Sequence, residues 1–180
     1  MSYLVISCSL HPESRSRILA KRAAERIGER VDKVEYVDLS EHELPHCDGH
    51  ACYDHPTVKK LTQQIKAADG ILLATPIYNF AASGAAKTLI ELTGAAWADK
   101  VVGFLCAAGG QSSYMSVMGL ANSLMLDFRA VVLPRFVYTD GSVFQGDTIV
   151  DAAIEDRLDE LAHRLTAVGA ALATINNEED

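Results

Sequence analysis

The sequence predicts an α/β domain in which helices cover both faces of a doubly wound parallel sheet. Strand-like segments lie at residues 3–8, 33–39, 70–75, 100–106 and 130–134. All but the second, which alternates, are nearly continuous apolar runs. Such runs indicate strands that are buried on both faces, as they are in a parallel sheet.

Helical patterns separate the strands and give the order βαβαβαβαβα. They lie at residues 14–29, 57–68, 83–93, 113–127 and 151–173. Regular alternation of strand and helix favours right-handed crossovers in one sheet. Because no linker or repeat interrupts the pattern, residues 1–175 are predicted to form a single domain. Residues 176–180 are predicted to be a disordered acidic tail.

The net charge of the chain argues against a polyanion as its partner. The chain has 180 residues and a formal net charge of -8, which argues against nucleic acid and anionic membranes as partners.

Residues 101–126 carry no charge, but "GGQSSY" interrupts them, so strand, loop and helix are expected rather than a membrane span. Four scattered cysteines and a start without a signal-peptide pattern predict a cytoplasmic protein, with Cys8 and Cys106 reduced in the core.

A ligand site is expected in three loops. In an open parallel sheet, ligands bind beyond the carboxyl ends of the strands, at the switch point of the topology. The loops that follow strands one, three and four read "SLHPESRS", "PIYNFAAS" and "AAGGQSS". All three are rich in small and polar residues and poor in charge.

The first loop has the composition of a phosphate site. Its candidate ligands are Ser9, His11, Ser14, Arg15 and Ser16. The loop enters a helix, whose first N–H groups and positive dipole end attract anions. The alternative is that Ser14 or Ser16 only caps the helix, but a cap requires one serine. Glu13 is expected to face solvent. Neither GxGxxG nor GxxxxGK[ST] is present, which disfavours an ATPase or a standard NAD-binding domain.

The second and third loops fit a planar ligand. Pro76 is expected to end the third strand, so that the backbone and the Asn79 amide face the site between Tyr78 and Phe80. An ordinary turn with two packed aromatic rings is an equally good interpretation of this loop alone. In the third loop, Gly109 and Gly110 allow a close backbone approach or a positive φ, and Gln111 can bond a ring edge. A flexible turn is the alternative there.

Together, "SCSLHPESRSRILA", "ATPIYNFAASGAAKTLIEL" and "CAAGGQSSY" resemble the NADPH-dependent FMN reductase family of flavodoxin-like proteins. The resemblance covers residues 3–135, and its most specific part is the P-x-Y-N segment followed by small residues. It implies a five-stranded parallel sheet of order 2-1-3-4-5, FMN at the three loops, and usually a dimer.

The resemblance assigns roles by position. It implies an FMN phosphate loop of Ser9, His11, Ser14, Arg15 and Ser16, an isoalloxazine loop of Pro76, Ile77, Tyr78, Asn79 and Phe80, and a loop beside the other ring edge of Gly109, Gly110 and Gln111. The family often has Gly-Ser and then Arg where this chain has Cys8, Ser9 and His11. Since histidine is a pH-dependent cation, looser FMN binding is expected.

The predicted function is an FMN-dependent oxidoreductase. NADPH or NADH gives a hydride to FMN, and electrons then pass to a small-molecule acceptor, which is a quinone, an azo dye, a metal ion or a free flavin. No catalytic side chain is predicted, because the chemistry belongs to the cofactor. The alternatives are an electron carrier without NAD(P)H turnover and a flavin-free α/β binding domain.

The segment "HCDGHACYDH", residues 46–55, is dense in side chains that can bind metals. A zinc site or half of an iron–sulfur site is one interpretation, but Cys-x4-Cys has no second pair to match it. The favoured interpretation is a long loop that folds over the flavin rim, where Asp48, Cys52 and Tyr53 shape the entrance.

The fourth helix predicts an assembly. Its residues Val117, Leu120, Ala121, Leu124 and Phe128 form one apolar stripe, which suits packing on the sheet. Met115, Met118 and Met125 lie mainly on another side, and no charge precedes Asp127. A homodimer or homotetramer is therefore predicted, with this helix and helix 83–93 at the interface. The alternative is that helix 151–173 covers the methionines.

Overall fold

A computed structural model describes the backbone of residues 1–178 and the side chains of residues 1–175. The strands are β1 (Tyr3–Ser7), β2 (Val34–Asp38), β3 (Gly70–Tyr78), β4 (Ala81–Ala82), β5 (Val101–Ala107), β6 (Val131–Val132), β7 (Val137–Thr139), β8 (Phe144–Gln145) and β9 (Thr148–Ile149). The α-helices are α1 (Arg15–Gly28), α2 (Pro56–Ala67), α3 (Gly84–Thr93), α4 (Met118–Phe128) and α5 (Ala152–Glu178).

The main sheet is parallel and has the order β2-β1-β3-β5-β6. The short strands β6 and β7 both pair with β5, at residues 101–102 and 105–107 respectively, so together they fill the fifth position. The predicted order 2-1-3-4-5 and the predicted fold class are therefore confirmed. The fifth strand is interrupted at residues 133–136, where Pro134 is followed by Arg135 with a φ of 57°.

Two apolar cores lie on opposite faces of the sheet. One contains Leu61, Leu89, Leu120 and Leu124, from α2, α3 and α4. The other contains Leu19, Ile27, Leu158 and Leu165, from α1 and α5. Cys8 and Cys106 are buried on the first face, as predicted, and burial raises the pKa of the Cys106 thiol to about 12.

The third strand does not end at Pro76. Strand β3 continues to Tyr78, with Pro76 opposite Ala107 in register. Strand β1 has already ended at Ser7, beside Ala74, so no ladder partner needs the N–H that proline lacks. On that side the Pro76 carbonyl accepts a hydrogen bond from the Ser83 N–H at 3.0 Å.

The fourth helix begins later than the pattern predicts. Residues Gln111–Val117 form tight 3-10 turns, with a non-helical backbone at Ser113, and α4 starts at Met118. The Tyr114 ring stacks on Phe136 with a centroid distance of 4.6 Å. Tyr114 thus packs from the 3-10 segment, ahead of the first turn of α4.

The uncharged residues 101–126 form β5, the 3-10 turns and most of α4. None of the helices in residues 1–178 combines the length and apolarity needed to cross a membrane. Helix α5 extends to Glu178, three residues into the predicted tail. Residues 179 and 180 lie outside the described part of the chain.

Candidate functional site

A cleft of about 1120 Å³ lies at the carboxyl edge of the sheet, where the loops after β1, β3 and β5 meet. It is lined by every site residue that the sequence predicts except Gln111. Glu13, Ala107, Ala108, Ser112 and Ser113 also line it, although sequence reasoning did not select them. The three loops are therefore one site in space.

The first loop places three buried hydroxyls at the cleft. Ser14 is the N-cap of α1, and its hydroxyl accepts a hydrogen bond from the Arg17 N–H at 3.2 Å. The Ser16 hydroxyl lies 3.0 Å from that of Ser14, and the Ser9 hydroxyl accepts from the His11 N–H at 3.3 Å. Capping thus accounts for Ser14 but not for Ser9 and Ser16. The first N–H groups of α1 have no partners within the helix and can serve an anion here.

His11 and Arg15 lie at the exposed rim of this loop. His11 Nδ1 accepts a hydrogen bond from the Glu13 N–H at 3.0 Å, so this nitrogen carries no proton and Nε2–H remains as a donor. Arg15 packs over the loop that follows β7, where a Cβ on Gly141 would lie 2.5 Å from Arg15 Nη1. Glu13 is exposed, as expected, but it also lines the cleft, so its carboxylate is not kept out of the site.

The second loop is a β-hairpin rather than a simple strand-to-helix turn. Strands β3 and β4 pair antiparallel, and the two turn residues Asn79 and Phe80 have φ values of 50° and 61°. Two positive φ values are typical of a type I′ turn, in which asparagine is favoured at the first position. This asparagine preference is the signal by which the sequence could have revealed the hairpin.

The aromatic rings of the hairpin are exposed rather than packed. Tyr78 is 54% exposed and Phe80 is 69% exposed. The alternative of two packing aromatics is therefore wrong. Two flat apolar surfaces stand at the mouth of the cleft.

Ser83 is the N-cap of α3 and also joins the hairpin to the first loop. Its hydroxyl accepts from the Ala86 N–H at 3.3 Å and donates to the Cys8 carbonyl at 3.1 Å. The Thr75 hydroxyl lies 3.2 Å from it. All of these groups are buried, so they fix the spacing between the two loops.

In the third loop, the predicted positive φ at the glycines is not observed. Gly110 is extended, with φ -175° and ψ 179°, and Gly109 is not among the positive-φ residues of residues 1–178. A Cβ at either position would meet no described atom within 4 Å. Protein packing gives no reason for glycine here, so the close approach of a ligand remains the prediction.

Gln111 is turned away from the cleft. Its side-chain nitrogen donates to Asp140 Oδ2 at 2.6 Å. Asp140 also accepts from the Ser142 N–H and hydroxyl, and these bonds lower the pKa of the Asp140 carboxyl. Gln111 thus ties the third loop to the loop after β7, and its predicted bond to a ring edge is not supported.

Arg17 and Asp38 hold the first loop from behind, and sequence reasoning selected neither. Burial works to raise the pKa of the Asp38 carboxyl, but hydrogen bonds from Arg17 and Ser40 outweigh it and lower that pKa. The two residues are 21 positions apart, so no local pattern relates them.

The sequence analysis favoured a loop of residues 46–55 that folds over the cleft. The structure contradicts this, because none of these residues lines the cleft. Asp48 Oδ1 accepts from the N–H groups of His50 and Cys52. Cys52 is buried against Val58 and Leu92, on the α2–α3 side. Within residues 1–178, no three His, Cys, Asp or Glu side chains are grouped as metal ligands.

The fold and the site together define a flavodoxin-like domain with a nucleotide-type cleft at its switch point. The model of the NADPH-dependent FMN reductase family matches residues 1–144, and the chain belongs to that family. This confirms the predicted family and, with it, the predicted class of NAD(P)H-dependent flavin oxidoreductase.

Similar proteins agree with this membership. The chain is 32% identical to an NADPH azoreductase of Bacillus sp. The alignment spans 143 residues and covers 78% of each of the two chains. It is 31% identical over 166 residues to an FMN reductase (NADPH) of Pseudomonas putida, which covers 89% of this chain and 83% of the other. The fold is shared with FerB, a flavoenzyme NAD(P)H:(acceptor) oxidoreductase of Paracoccus denitrificans. That similarity has a TM-score of 0.77 at 21% identity, and it covers 94% of this chain and 97% of the other.

Proposed function

We propose that this protein binds FMN in the cleft and uses it to pass electrons from NADPH or NADH to a small-molecule acceptor. The observation that carries the proposal is the pairing, in one cleft, of a hydroxyl-lined helix start with exposed aromatic rings. The cleft volume of about 1120 Å³ lies slightly above the range of about 300–1,000 Å³ that is typical of small-molecule and cofactor sites, so the cleft has room for FMN.

The residues of the first loop fit a phosphate. The hydroxyls of Ser9, Ser14 and Ser16 are buried at the cleft, beside the positive end of α1. His11 and Arg15 add donors at the rim. Because the helix start and the neutral hydroxyls supply most of the donors, binding does not depend on a buried cation.

The residues of the second and third loops fit a flat heterocycle. Tyr78 and Phe80 offer apolar faces, the Asn79 amide offers both a donor and an acceptor, and the Cβ-free backbone of Gly109 and Gly110 leaves room for close approach. FMN, when bound, supplies the hydride and electron chemistry. The chain supplies position, stacking surface and exclusion of water.

The acceptor is proposed to be a quinone, an azo compound, a metal ion or a free flavin. The similar proteins are named as an azoreductase, an FMN reductase and an acceptor oxidoreductase, which supports a small flat acceptor. The exposed rings at the mouth of the cleft suit the stacking of a second flat molecule.

One experiment tests the proposal. The purified protein should be yellow, and it should oxidise NADPH or NADH under air, faster when a quinone or an azo dye is added. A yellow protein without NAD(P)H oxidation would instead be an electron carrier. A colourless protein that does not bind added FMN would overturn the proposal.

Asn79→Gly is expected to weaken FMN binding by about 1–3 kcal/mol, the cost of leaving buried polar groups unpaired. Glycine adopts positive φ freely, so the hairpin should persist. FMN titration of the flavin-free variant measures the effect. Asn79→Leu is a poorer test, because leucine is strained at a φ of 50°. FMN affinity equal to that of the unmodified protein would show that the amide faces elsewhere.

We further propose a homodimer or homotetramer, in the cytoplasm, with α4 and α3 at the interface. The stripe of α4 predicted to face the sheet is buried or half-buried, whereas Met115, Met118, Met125 and Leu126 are exposed. Helix α5 packs with α1 on the opposite face of the sheet, so it does not cover these methionines. A second copy of the chain would bury them.

The proposed cytoplasmic location is supported by the four free cysteines, which suit a reducing compartment.

A further inference from the structure

Arg17 lies behind the phosphate loop, in the first turn of α1, and binds the backbone of the loop. Its Nη1 donates to the carbonyl oxygens of His11 and Pro12, each at 2.8 Å. Its Nη2 donates to the Ser9 carbonyl oxygen at 3.2 Å. Three carbonyls of one short loop are thus turned toward one guanidinium, and their lone pairs are occupied there.

Asp38 and Ser40, at the end of β2, hold the guanidinium itself. Asp38 accepts from Arg17 Nε and, at 3.4 Å, from Nη2. It also accepts from the Ser40 N–H and hydroxyl at 3.0 Å and 2.8 Å, while the Ser40 hydroxyl accepts from Arg17 Nη2 at 2.9 Å. The Arg17 side chain is 13% exposed and that of Asp38 only 6%.

Because of these contacts, Arg17 has no free N–H donor for a ligand. A guanidinium has five N–H donors in a fixed plane, and Arg17 has six acceptors within the protein. An arginine beside a hydroxyl-rich loop would ordinarily be taken for a phosphate ligand. Here the donors point at the loop backbone and at a carboxylate.

We propose that the Arg17–Asp38 pair positions the phosphate loop, so that its hydroxyls and the helix start are set for the phosphate of FMN, while neither residue touches that phosphate. The proposal rests on the proposed function, because it assumes FMN in this cleft. By occupying the carbonyls of Ser9, His11 and Pro12, Arg17 keeps oxygen lone pairs from facing an anion. Asp38 in turn fixes the plane of the guanidinium.

The charge of Asp38 makes the proposal sharply testable. If the pair acted only through its charge, removal of a nearby carboxylate would strengthen binding of a dianion. If the pair positions the loop, the same removal weakens binding. Asp38→Asn keeps the size of the side chain and removes the charge, so the two accounts predict opposite signs.

The experiment titrates the flavin-free protein with FMN and with riboflavin, which lacks the phosphate, and follows flavin fluorescence. Asp38→Asn and Arg17→Met are each expected to weaken FMN binding by about tenfold to about a hundredfold, the range seen when groups that support a site are lost. Riboflavin binding should stay unchanged. The double variant should lose little more than either single variant, because the two residues act as one unit.

Asp99→Asn is the matched control. The Asp99 carboxylate also accepts from an arginine, from Arg129 Nε at 3.0 Å and from Nη2 at 2.7 Å, but Asp99 precedes β5 and does not line the cleft at the carboxyl edge of the sheet. This variant should bind FMN normally, whatever it does to the melting temperature. If Asp38→Asn fails to fold, Ser40→Ala removes one exposed hydroxyl of the same network and should show a smaller loss that is also selective for FMN.

Asp38→Asn with FMN affinity equal to or above that of the unmodified protein would overturn the proposal. So would an equal loss for FMN and riboflavin, since that would mean a general disturbance of the fold. Failure of the unmodified protein to bind FMN would overturn the proposed function instead. The two outcomes are distinguishable, because FMN binding by the unmodified protein is measured before any variant is tested.

Discussion

The Ser14→Asp variant is expected to fold normally and to purify without FMN. Aspartate is as good an N-cap as serine, so it can replace the bond from the Ser14 hydroxyl to the Arg17 N–H. Its carboxylate would stand where the phosphate is proposed to bind. Two like unit charges about 4 Å apart, at an effective dielectric constant of about 20, repel by about 4 kcal/mol. That repulsion corresponds to about a thousandfold in affinity.

The measurement is the flavin content of the purified variant, followed by titration with FMN. Ser14→Asn is the control, because asparagine caps a helix equally well without the charge. It should retain most of the bound FMN and the same melting temperature. A stoichiometric yellow Ser14→Asp protein with normal turnover would refute the assignment of the first loop to phosphate.

The second large effect is expected at the exposed face of α4, where Met118→Glu should convert the assembly to single chains. Met118 is 40% exposed in the isolated chain, so a glutamate there can be solvated in a monomer. At an interface between two copies, the same carboxylate would be buried without a partner, which costs several kcal/mol. The fold should therefore survive while the association does not.

Light scattering at micromolar protein measures the mass directly. The unmodified protein should have at least twice the mass of one chain, and the Met118→Glu variant should have the mass of one. Val150→Glu is the control, because Val150 is also exposed but follows β9, away from α4. A one-chain mass for the unmodified protein would refute the proposed assembly.

The order of the elements was readable from the sequence because the central strands β1, β3 and β5 are almost entirely buried on both faces. Such strands give uninterrupted apolar runs, as in "GILLAT" and "KVVGFLC", while helices that cover a sheet give a period of 3.6. The switch-point rule then places the three loops on one edge without any distance information. For this reason the sequence predicted the fold class correctly. All of the predicted site residues except Gln111 line the cleft.

The sequence by itself thus determined the α/β fold, the family and the edge of the sheet that carries the cleft. Only the tertiary structure decided how the loops are held. The Arg17–Asp38 pair, the Ser83 bond to the Cys8 carbonyl and the Gln111–Asp140 bond join residues from 21 to 75 positions apart. Hydrophobic periodicity reports which face of an element is buried, and it is a local property of the chain. A hydrogen bond between two loops depends on where distant elements bring their ends, and no periodicity encodes that.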